Sequence, residues 1–243
     1  MSRLYLRAEK HGDRTVITES SFTSPLKIAS PFYHRDYTEI MMMSASAGML
    51  EGDEYDIRIH VCEGATLKFT GQSFDKIFNC SDGGRIIRKV KINVESGGKL
   101  IYMQQPAIPF AGSCFCGETD VRLREGSVFV IQDVLSCGRA AMDEKFDFRE
   151  YRSRISVKKE GKLVFLDNVR LSPEEINLSG TGFYEGYTHS GMMYVYGTDL
   201  SDIPENEEAS VTSAAAGKCV RMLSDSAQSI TDFFENMINC IAL

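Results

Sequence analysis

The sequence predicts a mainly β protein with one clear helix near its C-terminus. Short segments of alternating apolar and polar residues recur along most of the chain, and this period is typical of strands with one buried face. Glycine-containing turn signals separate these segments. Only the C-terminal segment has apolar residues at three- and four-residue steps. We therefore expect a long series of hairpins and meanders that ends in a helix.

The predicted strands differ in how much of their surface is buried. The segment "YDIRIHV" (55–61) alternates apolar and polar residues, so one of its faces is expected to be buried. The same alternation returns in "RKVKINV", "TDVRLRE" and "SRISVKK", whose β-branched residues favour strands. "KLIYMQQ" and "SVFVIQDVL" are more continuously apolar, as expected of strands buried on both faces.

Four dipeptides with glycine separate the predicted strands. Glycine takes the positive φ that tight hairpin turns require, so each dipeptide predicts a turn. The four are Glu63-Gly64, Gly97-Gly98, Glu125-Gly126 and Glu160-Gly161.

Two segments have features of helices. Near the C-terminus, Asp225 and Gln228 are spaced as in a capping box. A second, shorter helical turn is predicted at "SPEEINL", with Ser172 as N-cap and Pro173 at the first helical position. The segment 180–197, rich in glycine and tyrosine, is either an irregular excursion or another hairpin. The apolar stripe of the C-terminal helix is predicted to consist of Ala227, Ile230, Phe234, Met237, Ile238 and Ile241.

Length and composition predict a single cytoplasmic domain over residues 1–243. The 243 residues fit one large domain, and no linker or low-complexity run divides them. The N-terminal segment is polar and charged and does not resemble a signal peptide, so the seven cysteines are expected to be reduced. No apolar run is long enough to cross a bilayer, which argues against a membrane protein. A net charge of −7 argues against nucleic acid as a partner.

Common catalytic motifs are absent from the sequence. There is no P-loop, no GxGxxG after a strand, no GxSxG elbow and no HExxH. A cytosolic hydrolase on a β scaffold stays open, with Ser136 or Cys137 beside Asp133 as the local candidates. The histidines are scattered singly and are interpreted as surface or strand residues: His11, His34, His60 and His189.

Cys114 and Cys116 form the sharpest metal-like feature. Thiols two residues apart on a strand point to the same face, and thiolates suit zinc, copper or nickel. A structural zinc site needs further ligands, however, and no second pair stands at a suitable spacing. Core packing is therefore favoured for both thiols. It is also favoured for Met41, Met42 and Met43, because alternation along a strand would divide their thioethers between its two faces. A zinc- or copper-storage protein that uses these residues stays an alternative.

Carboxylates stand at four positions that suggest a shared role. Asp53 follows a glycine turn and Asp75 lies in "TGQSFDKIF", while Asp133 and Asp167 interrupt apolar strand sequences. A buried carboxylate is unfavourable unless it is hydrogen-bonded, paired with a base, bound to a cation or facing water. Together the four are compatible with a path for a cation or for water, because oxygen ligands hold a divalent ion weakly.

The alternative for each single carboxylate is a structural contact. The carboxylate would then accept hydrogen bonds from turn amides or from a basic side chain, with Arg139 or Arg170 as candidate partners. In the corner "CGRAAMDE", Gly138 is expected to turn the chain, Glu144 to pair with Arg139, and Cys137 to pack in the core.

Six segments in register resemble the urease accessory protein UreD family, called UreH in some bacteria. The resemblance extends from about residue 14 to the C-terminal helix, and six matches in order are a specific signal although each alone is weak. The segments are "SPLKIASPFY", "AGMLEGDEY", "TGQSFDKIF", "QQPAIPFAGS", "DVLSCGRAAMDEKF" and "LVFLDNVRL".

This resemblance implies a fold and a function. The fold is a β-helix-like layered stack of strands and hairpins with two helices, one of them C-terminal. The function is that of a non-catalytic scaffold, which binds UreF, through it the GTPase UreG, and apo-urease in a dimeric hetero-assembly. No cofactor is tightly bound, and nickel(II) in transit passes through a water-filled tunnel. The family's tunnel positions fall on Asp53, Asp75, Asp133 and Asp167.

The sequence departs from the family pattern at several of these positions. Asp167 stands where glutamate is more common, and Asp75 replaces a small or polar residue. Ala47 stands where the family has the first of two glycines, and the corner after Arg139 lacks the usual proline and glycine. These changes affect the reach of one carboxylate and the stiffness of the corner, while the charge pair of the corner is kept.

Overall fold

A computed structural model describes residues 1–198 and 208–239 of the chain. Its strands form two sheets, and one helix follows them. In chain order the strands are β1 (Ser2–His11), β2 (Arg14–Phe22), β3 (Leu26–Ile28), β4 (Phe32–Tyr33), β5 (Thr38–Ser44), β6 (Glu54–Val61), β7 (Thr66–Gly71), β8 (Asp75–Ile77), β9 (Ile86–Val94), β10 (Lys99–Met103), β11 (Ala107–Pro109), β12 (Cys114–Leu123), β13 (Val128–Ser136), β14 (Glu150–Lys159), β15 (Lys162–Leu171), β16 (His189–Tyr196), β17 (Ala209–Ser213) and β18 (Lys218–Ser224).

The two sheets are built from strands that alternate along the chain. The seven-stranded sheet has the order β15-β14-β12-β9-β6-β1-β2. The eleven-stranded sheet has the order β17-β18-β16-β13-β10-β7-β5-β3, with β4, β8 and β11 paired beside this path. Within the seven-stranded sheet β6, β9, β12 and β14 are parallel, and within the other sheet β7, β10 and β13 are parallel. Successive turns of the chain therefore stack as in a β-solenoid, which confirms the predicted β-helix-like stack.

Three of the four predicted hairpin turns are corners between the sheets, so their interpretation as hairpins was wrong. The turns at Gly64, Gly97 and Gly126 have φ of 66°, 65° and 68°, and each leads from one sheet to the other. Only the turn at Gly161 joins antiparallel neighbours, β14 and β15. Glycine is needed in both cases because the backbone adopts a positive φ, and this requirement does not specify which strand the next segment pairs with.

The interior between the sheets is apolar, and strand periodicity accounts for it. Alternate residues of β6 and β9 are buried there, as the alternating pattern predicted. Strand β10 is buried on both faces: Leu100 and Tyr102 pack between the sheets, while Ile101 and Met103 belong to a second cluster with the helix. Strand β13 is buried on both faces in the same way.

The helix α1 (Ala227–Asn239) covers the outer face of the eleven-stranded sheet. It contacts β13, β16 and β18. Gly191 of β16 allows this close approach, because a Cβ atom there would lie 2.4 Å from Cγ2 of Ile230. The predicted stripe lies on the buried side, with Phe233 as an additional member, except that Ile241 lies outside the described residues.

The cap of this helix differs from the prediction. Ser226, and not Asp225, provides the capping oxygen, which accepts a hydrogen bond of 3.4 Å from the amide of Ser229. Gln228 donates to Asp232 and takes no part in a capping box. The predicted N-cap, Asp225, was therefore wrong by one residue.

The helical turn predicted at Ser172 forms, but in the part of the chain that the structure describes it does not extend into the second helix of the predicted fold. The amides of Glu175 and Ile176 both donate to the carbonyl of Ser172, which makes one turn without a following helical segment. A single 3-10 turn is found instead at Ala140–Met142. The segment 180–197 combines both alternatives that the sequence left open, because turns up to residue 188 lead into strand β16.

No helix among residues 1–198 and 208–239 has both the length and the apolar character that a bilayer span requires.

Candidate functional site between the sheets

Three polar pairs join one sheet to the other. Two of them cross the apolar interior, and in the third, Arg221 with Asp167, the Arg221 side chain is 52% exposed. In every pair a carboxylate accepts from a side chain of the opposite sheet. We call these six residues the inter-sheet polar layer. The pairs are Arg88 with Asp75 at 2.5 Å, Ser153 with Asp133 at 2.7 Å, and Arg221 with Asp167 at 2.5 Å.

Strand periodicity places these side chains in the interior. Asp133 shares its face of β13 with Phe129 and Ile131, which belong to the core between the sheets. On the opposite sheet Arg88 and Ser153 lie in one row across the strands, because Gly117 of β12 is the register partner of both. The sequence therefore puts polar residues at positions where the strand pattern calls for apolar ones.

Asp133 is the carboxylate of the polar layer whose hydrogen-bond partner is a neutral side chain. Burial raises the pKa of Asp133, and the hydrogen bond from Ser153 and the charge of Arg88 only partly oppose this effect. The neighbouring carboxylates of Asp167 and Asp75 raise its pKa further. Its negative charge would therefore be favoured by a bound cation.

Arg88 is a buried cation, 8% exposed, in the centre of this layer. Burial disfavours its charge, but the carboxylate of Asp75 and the other acidic groups hold the pKa of Arg88 above its ordinary value. The guanidinium also lies 5.1 Å from the ring centroid of Phe115, within cation–π range. Arg88 thus stays protonated, and its positive charge favours the ionised carboxylates of both Asp75 and Asp133.

Two buried tyrosines complete the polar surroundings. Burial raises the pKa of Tyr102 to about 12, and its hydroxyl accepts from the Gln104 amide at 2.5 Å. Tyr151 is buried, and its hydroxyl has no hydrogen-bond partner in the described structure. A buried hydroxyl without a partner is unfavourable, and water or a polar solute beside it would satisfy it.

Two separate cavities are lined by residues of the polar layer. The larger cavity, about 570 Å³, is lined by Asp133, Asp167 and Tyr151, and it reaches the surface beside the exposed Phe183. The smaller cavity, about 30 Å³, is lined by Asp75 among others. The structure thus brings Asp133 and Asp167 to one cavity and places Asp75 at another, with Arg88 interacting with carboxylates of both.

Asp53 lies apart from the other three predicted carboxylates. It accepts hydrogen bonds from the amide of Leu50 at 2.8 Å and from the hydroxyl of Tyr55 at 2.9 Å. These contacts close the turn before β6, and Asp53 lines neither of the two cavities. Its link to the polar layer is indirect, because Tyr55 is the cross-strand partner of Arg88.

The corner after β13 is built as the sequence predicted. Arg139 Nε donates to Glu144 Oε2 at 2.9 Å, and the guanidinium lies 4.4 Å from the centroid of Phe110. Glu144 also accepts from the amide of Ala111 at 2.7 Å. Gly138 has φ of 141°, and a Cβ atom there would lie 2.6 Å from the carbonyl oxygen of Glu144. Cys137 is buried, as expected.

The suggested basic partners of the carboxylates were wrong. Arg139 pairs with Glu144, and Arg170 pairs with Glu150 and Glu175. Arg88, Ser153 and Arg221 hold the buried carboxylates instead, and sequence reasoning missed all three. A signal existed for Arg88 and for Ser153, because each occupies an apolar position in the period-2 pattern of its strand.

The candidate residues for a hydrolase have structural roles in the described chain. The hydroxyl of Ser136 donates to the carbonyl of Gly138 at 2.6 Å, and Asp133 is engaged by Ser153. Burial raises the pKa of the Cys137 thiol, which disfavours the nucleophilic thiolate.

The thiols of Cys114 and Cys116 are not gathered with other ligands. Cys114 is buried and Cys116 is half-buried. Within the described ranges neither belongs to a group of three or more histidine, cysteine or acidic residues that could hold a metal ion. Met41, Met42 and Met43 are partly buried on β5.

The stacked strands and the inter-sheet polar layer define a β-solenoid-like protein with charged side chains between its sheets. The family model described as "UreD urease accessory protein" matches residues 1–243, and the chain therefore belongs to the UreD urease accessory protein family.

Relatives with this name support the assignment. The chain is 42% identical over 203 residues to the urease accessory protein UreD of Acetivibrio thermocellus, covering 83% of this chain and 77% of that protein. It is 35% identical over 195 residues to the urease accessory protein UreH of Helicobacter hepaticus, covering 80% and 77%. It is 31% identical over 194 residues to the UreD protein of a Bacillus species, covering 79% and 71%.

Proposed function

We propose that this chain is a non-catalytic scaffold for urease maturation, a single domain that acts in the cytoplasm. It binds UreF, through UreF the GTPase UreG, and apo-urease in a dimeric hetero-assembly, and it passes nickel(II) between its two sheets. Membership of the family supports the accessory role. The observation that carries the conduit is the pair of carboxylates, Asp133 and Asp167, that line a cavity reaching the surface.

The chemistry of the polar layer suits an ion in transit. Carboxylate and hydroxyl oxygens hold a borderline divalent ion less tightly than imidazole or thiolate does. Conduction requires sites that attract the ion and still release it. Asp133 meets both requirements, because its buried charge is only partly compensated and its hydrogen-bond partner Ser153 is neutral.

Arg88 is the barrier that an ion would meet after Asp133. Its guanidinium is bonded to Asp75 and its positive charge repels a cation. In the proposed passage Arg88 releases Asp75, and the carboxylate of Asp75 then binds the ion on the side of the smaller cavity. Asp53 would act at the end of the conduit beyond Asp75, where the hydroxyl of Tyr55 donates a hydrogen bond to it.

The conduit is tested by removing its carboxylates while the assembly is monitored. Asp133→Ala and Asp167→Ala are each expected to leave complex formation intact and to lower the nickel content of urease, and the double variant is expected to lower it more. Asp120→Ala is the matched control, because Asp120 accepts a serine hydrogen bond of 2.6 Å from Ser156 yet is exposed to solvent. Full nickel incorporation with the double variant would refute the conduit.

The scaffold is tested by coexpression. Copurification of UreG with this chain is expected only when UreF is present, and the mass of the complex is expected to correspond to two copies of each partner. Recovery of the uncomplexed chain under every coexpression condition would refute the scaffold role. Because the two experiments read different properties, the conduit and the scaffold can fail separately.

A further inference from the structure

A second group of ligand-type side chains lies at the ends of two neighbouring strands. His60 belongs to β6, Cys62 follows that strand, and Glu95 follows β9. The parallel pairing of β6 with β9 places Val61 opposite Val94 and so brings Glu95 beside the other two. The nitrogen, sulfur and carboxylate oxygen that could bind a metal all lie within 4.8 Å of one another. In the part of the chain that the structure describes, this is the one such group of three.

The group is held in place by its surroundings. His60 Nε2 and Glu95 Oε1 are 2.6 Å apart, and the other oxygen of Glu95 accepts from the amide of Glu63 at 3.1 Å. Cys62 is buried, with 7% exposure, whereas His60 and Glu95 are partly exposed. His60 and Glu95 also line a surface cavity of about 700 Å³, through which an ion could reach the group.

We propose that His60, Cys62 and Glu95 form a binding site for one borderline divalent cation, of the class of Co²⁺, Ni²⁺ and Zn²⁺. Imidazole nitrogen, thiolate sulfur and carboxylate oxygen are the ligands that these ions take in proteins. Three protein ligands leave at least one coordination position open, so the ion keeps a solvent ligand and can be exchanged.

Binding removes a proton from the ligand atoms of Cys62 and His60. The thiol of Cys62 loses its proton to solvent when sulfur binds the metal. The Nε2 proton that His60 shares with Glu95 moves to Nδ1, so the imidazole stays neutral and its Nε2 lone pair binds the ion. No oxidation or reduction takes place.

Arg7 opposes this binding in the described structure. Its Nη1 is 3.2 Å from His60 Nδ1, the atom that would carry the proton once the metal is bound. Arg7 is itself held by Glu9, with Nε 2.5 Å from the carboxylate, and Glu19 is within 3.9 Å of it. Glu9 Oε1 is also 4.0 Å from the sulfur of Cys62, so two carboxylates offset the charge of Arg7 next to the site.

The site is separate from the inter-sheet polar layer. His60 alternates along β6 with Ile57, Ile59 and Val61, which face the interior, so His60 lies on the outer face of the seven-stranded sheet. Occupancy of this outer site and nickel passage between the sheets can therefore be tested independently.

The test is a titration of the purified, chelator-treated full chain with Co²⁺ alone, monitored by absorption. A thiolate-to-cobalt charge-transfer band that saturates at one equivalent is expected. Cys62→Ser is expected to abolish this band, and His60→Ala and Glu95→Gln are each expected to weaken Co²⁺ binding at least about tenfold. Arg7→Gln is expected to tighten binding, because it removes the cation that competes at the imidazole.

Cys116→Ser is the control, since Cys116 is a half-buried thiol outside the group. It should leave the band and the affinity unchanged. Each variant is compared with the parent chain by circular dichroism, and His60→Ala provides a test at a partly exposed position if Cys62→Ser unfolds. A band that persists in Cys62→Ser, an affinity unaffected by His60→Ala, or the absence of a thiolate band in the parent chain would overturn the proposal.

Discussion

The hydroxyl of Ser153 donates a hydrogen bond of 2.7 Å to Asp133, and this bond joins the two sheets across an otherwise apolar interior. Two ion pairs, Arg88 with Asp75 and Arg221 with Asp167, make the same kind of connection. Polar contacts in a protein interior add little net stability, but breaking one of them leaves a buried group unpaired, as with Arg88 and Asp75, whose side chains are 9% and 18% exposed. Net stability alone therefore does not explain the polar layer, and its carboxylates are the residues on which the proposed nickel conduit depends.

Replacement of Asp133 by asparagine is expected to stabilise the protein at neutral pH. The pKa of Asp133 is raised in the folded state. The stability of the parent protein is therefore highest below the unfolded pKa of this carboxyl group and is lost as the pH rises through the folded pKa. Asparagine keeps an oxygen for Ser153 without the buried charge. Urea unfolding at several pH values should show a gain at pH 7 that shrinks toward the unfolded pKa of about 3.9. Asp120→Asn should show no comparable gain, and a loss of stability in Asp133→Asn at pH 7 would contradict this account.

The ion pair of Arg88 and Asp75 is expected to show strong coupling. Arg88→Met alone leaves a buried carboxylate unpaired, and Asp75→Leu alone leaves a buried guanidinium unpaired, so each should cost about 3–5 kcal/mol. The double variant removes both charges and should cost far less than the sum. Urea unfolding of all four proteins measures the coupling. If the two single effects simply add, the pair does not govern the stability of this region.

Gly191→Ala is expected to disturb the docking of α1 on the eleven-stranded sheet. The new methyl group would lie 2.4 Å from Cγ2 of Ile230, and overpacking of this kind costs about 1–3 kcal/mol. Hydrogen exchange should show reduced protection of the helix amides. Adding Ile230→Ala should offset part of this disturbance by removing the clashing atom. Gly180→Ala is the control, because its nearest neighbour would be 3.2 Å away, and equal effects of both alanines would rule out the packing explanation.

Glu144→Gln is expected to destabilise the corner in a pH-dependent way. The hydrogen bond from Arg139 lowers the pKa of Glu144, so its contribution is present above the unfolded pKa and is lost as the pH falls through the folded value. Removal of the charge should cost about 1–2 kcal/mol at pH 7, limited by the partial exposure of Arg139. Thermal melting at neutral and acidic pH measures the effect. Asp143→Asn, at an exposed neighbour, should be neutral, and a cost of Glu144→Gln that does not depend on pH would argue against the ion pair as its cause.

Local patterns in the sequence were sufficient for much of the secondary structure. Alternation predicted the buried faces of β6 and β9, and continuous apolar runs predicted that β10 and β13 are covered on both sides. The pairing of these strands was not predictable from the turns. Positive φ at Gly64 or Gly126 is a local requirement, whereas parallel stacking depends on hydrogen bonds between strands that are far apart in the chain.

The sequence by itself determined that the protein is mainly β, that Asp133 and Asp167 interrupt apolar strands, and that the chain resembles one family. Only the tertiary structure decided what those carboxylates contact. Arg88 is 13 residues from Asp75, Ser153 is 20 residues from Asp133, and Arg221 is 54 residues from Asp167. No local pattern encodes such pairs, because their members meet across two sheets whose register is established by packing of the whole core.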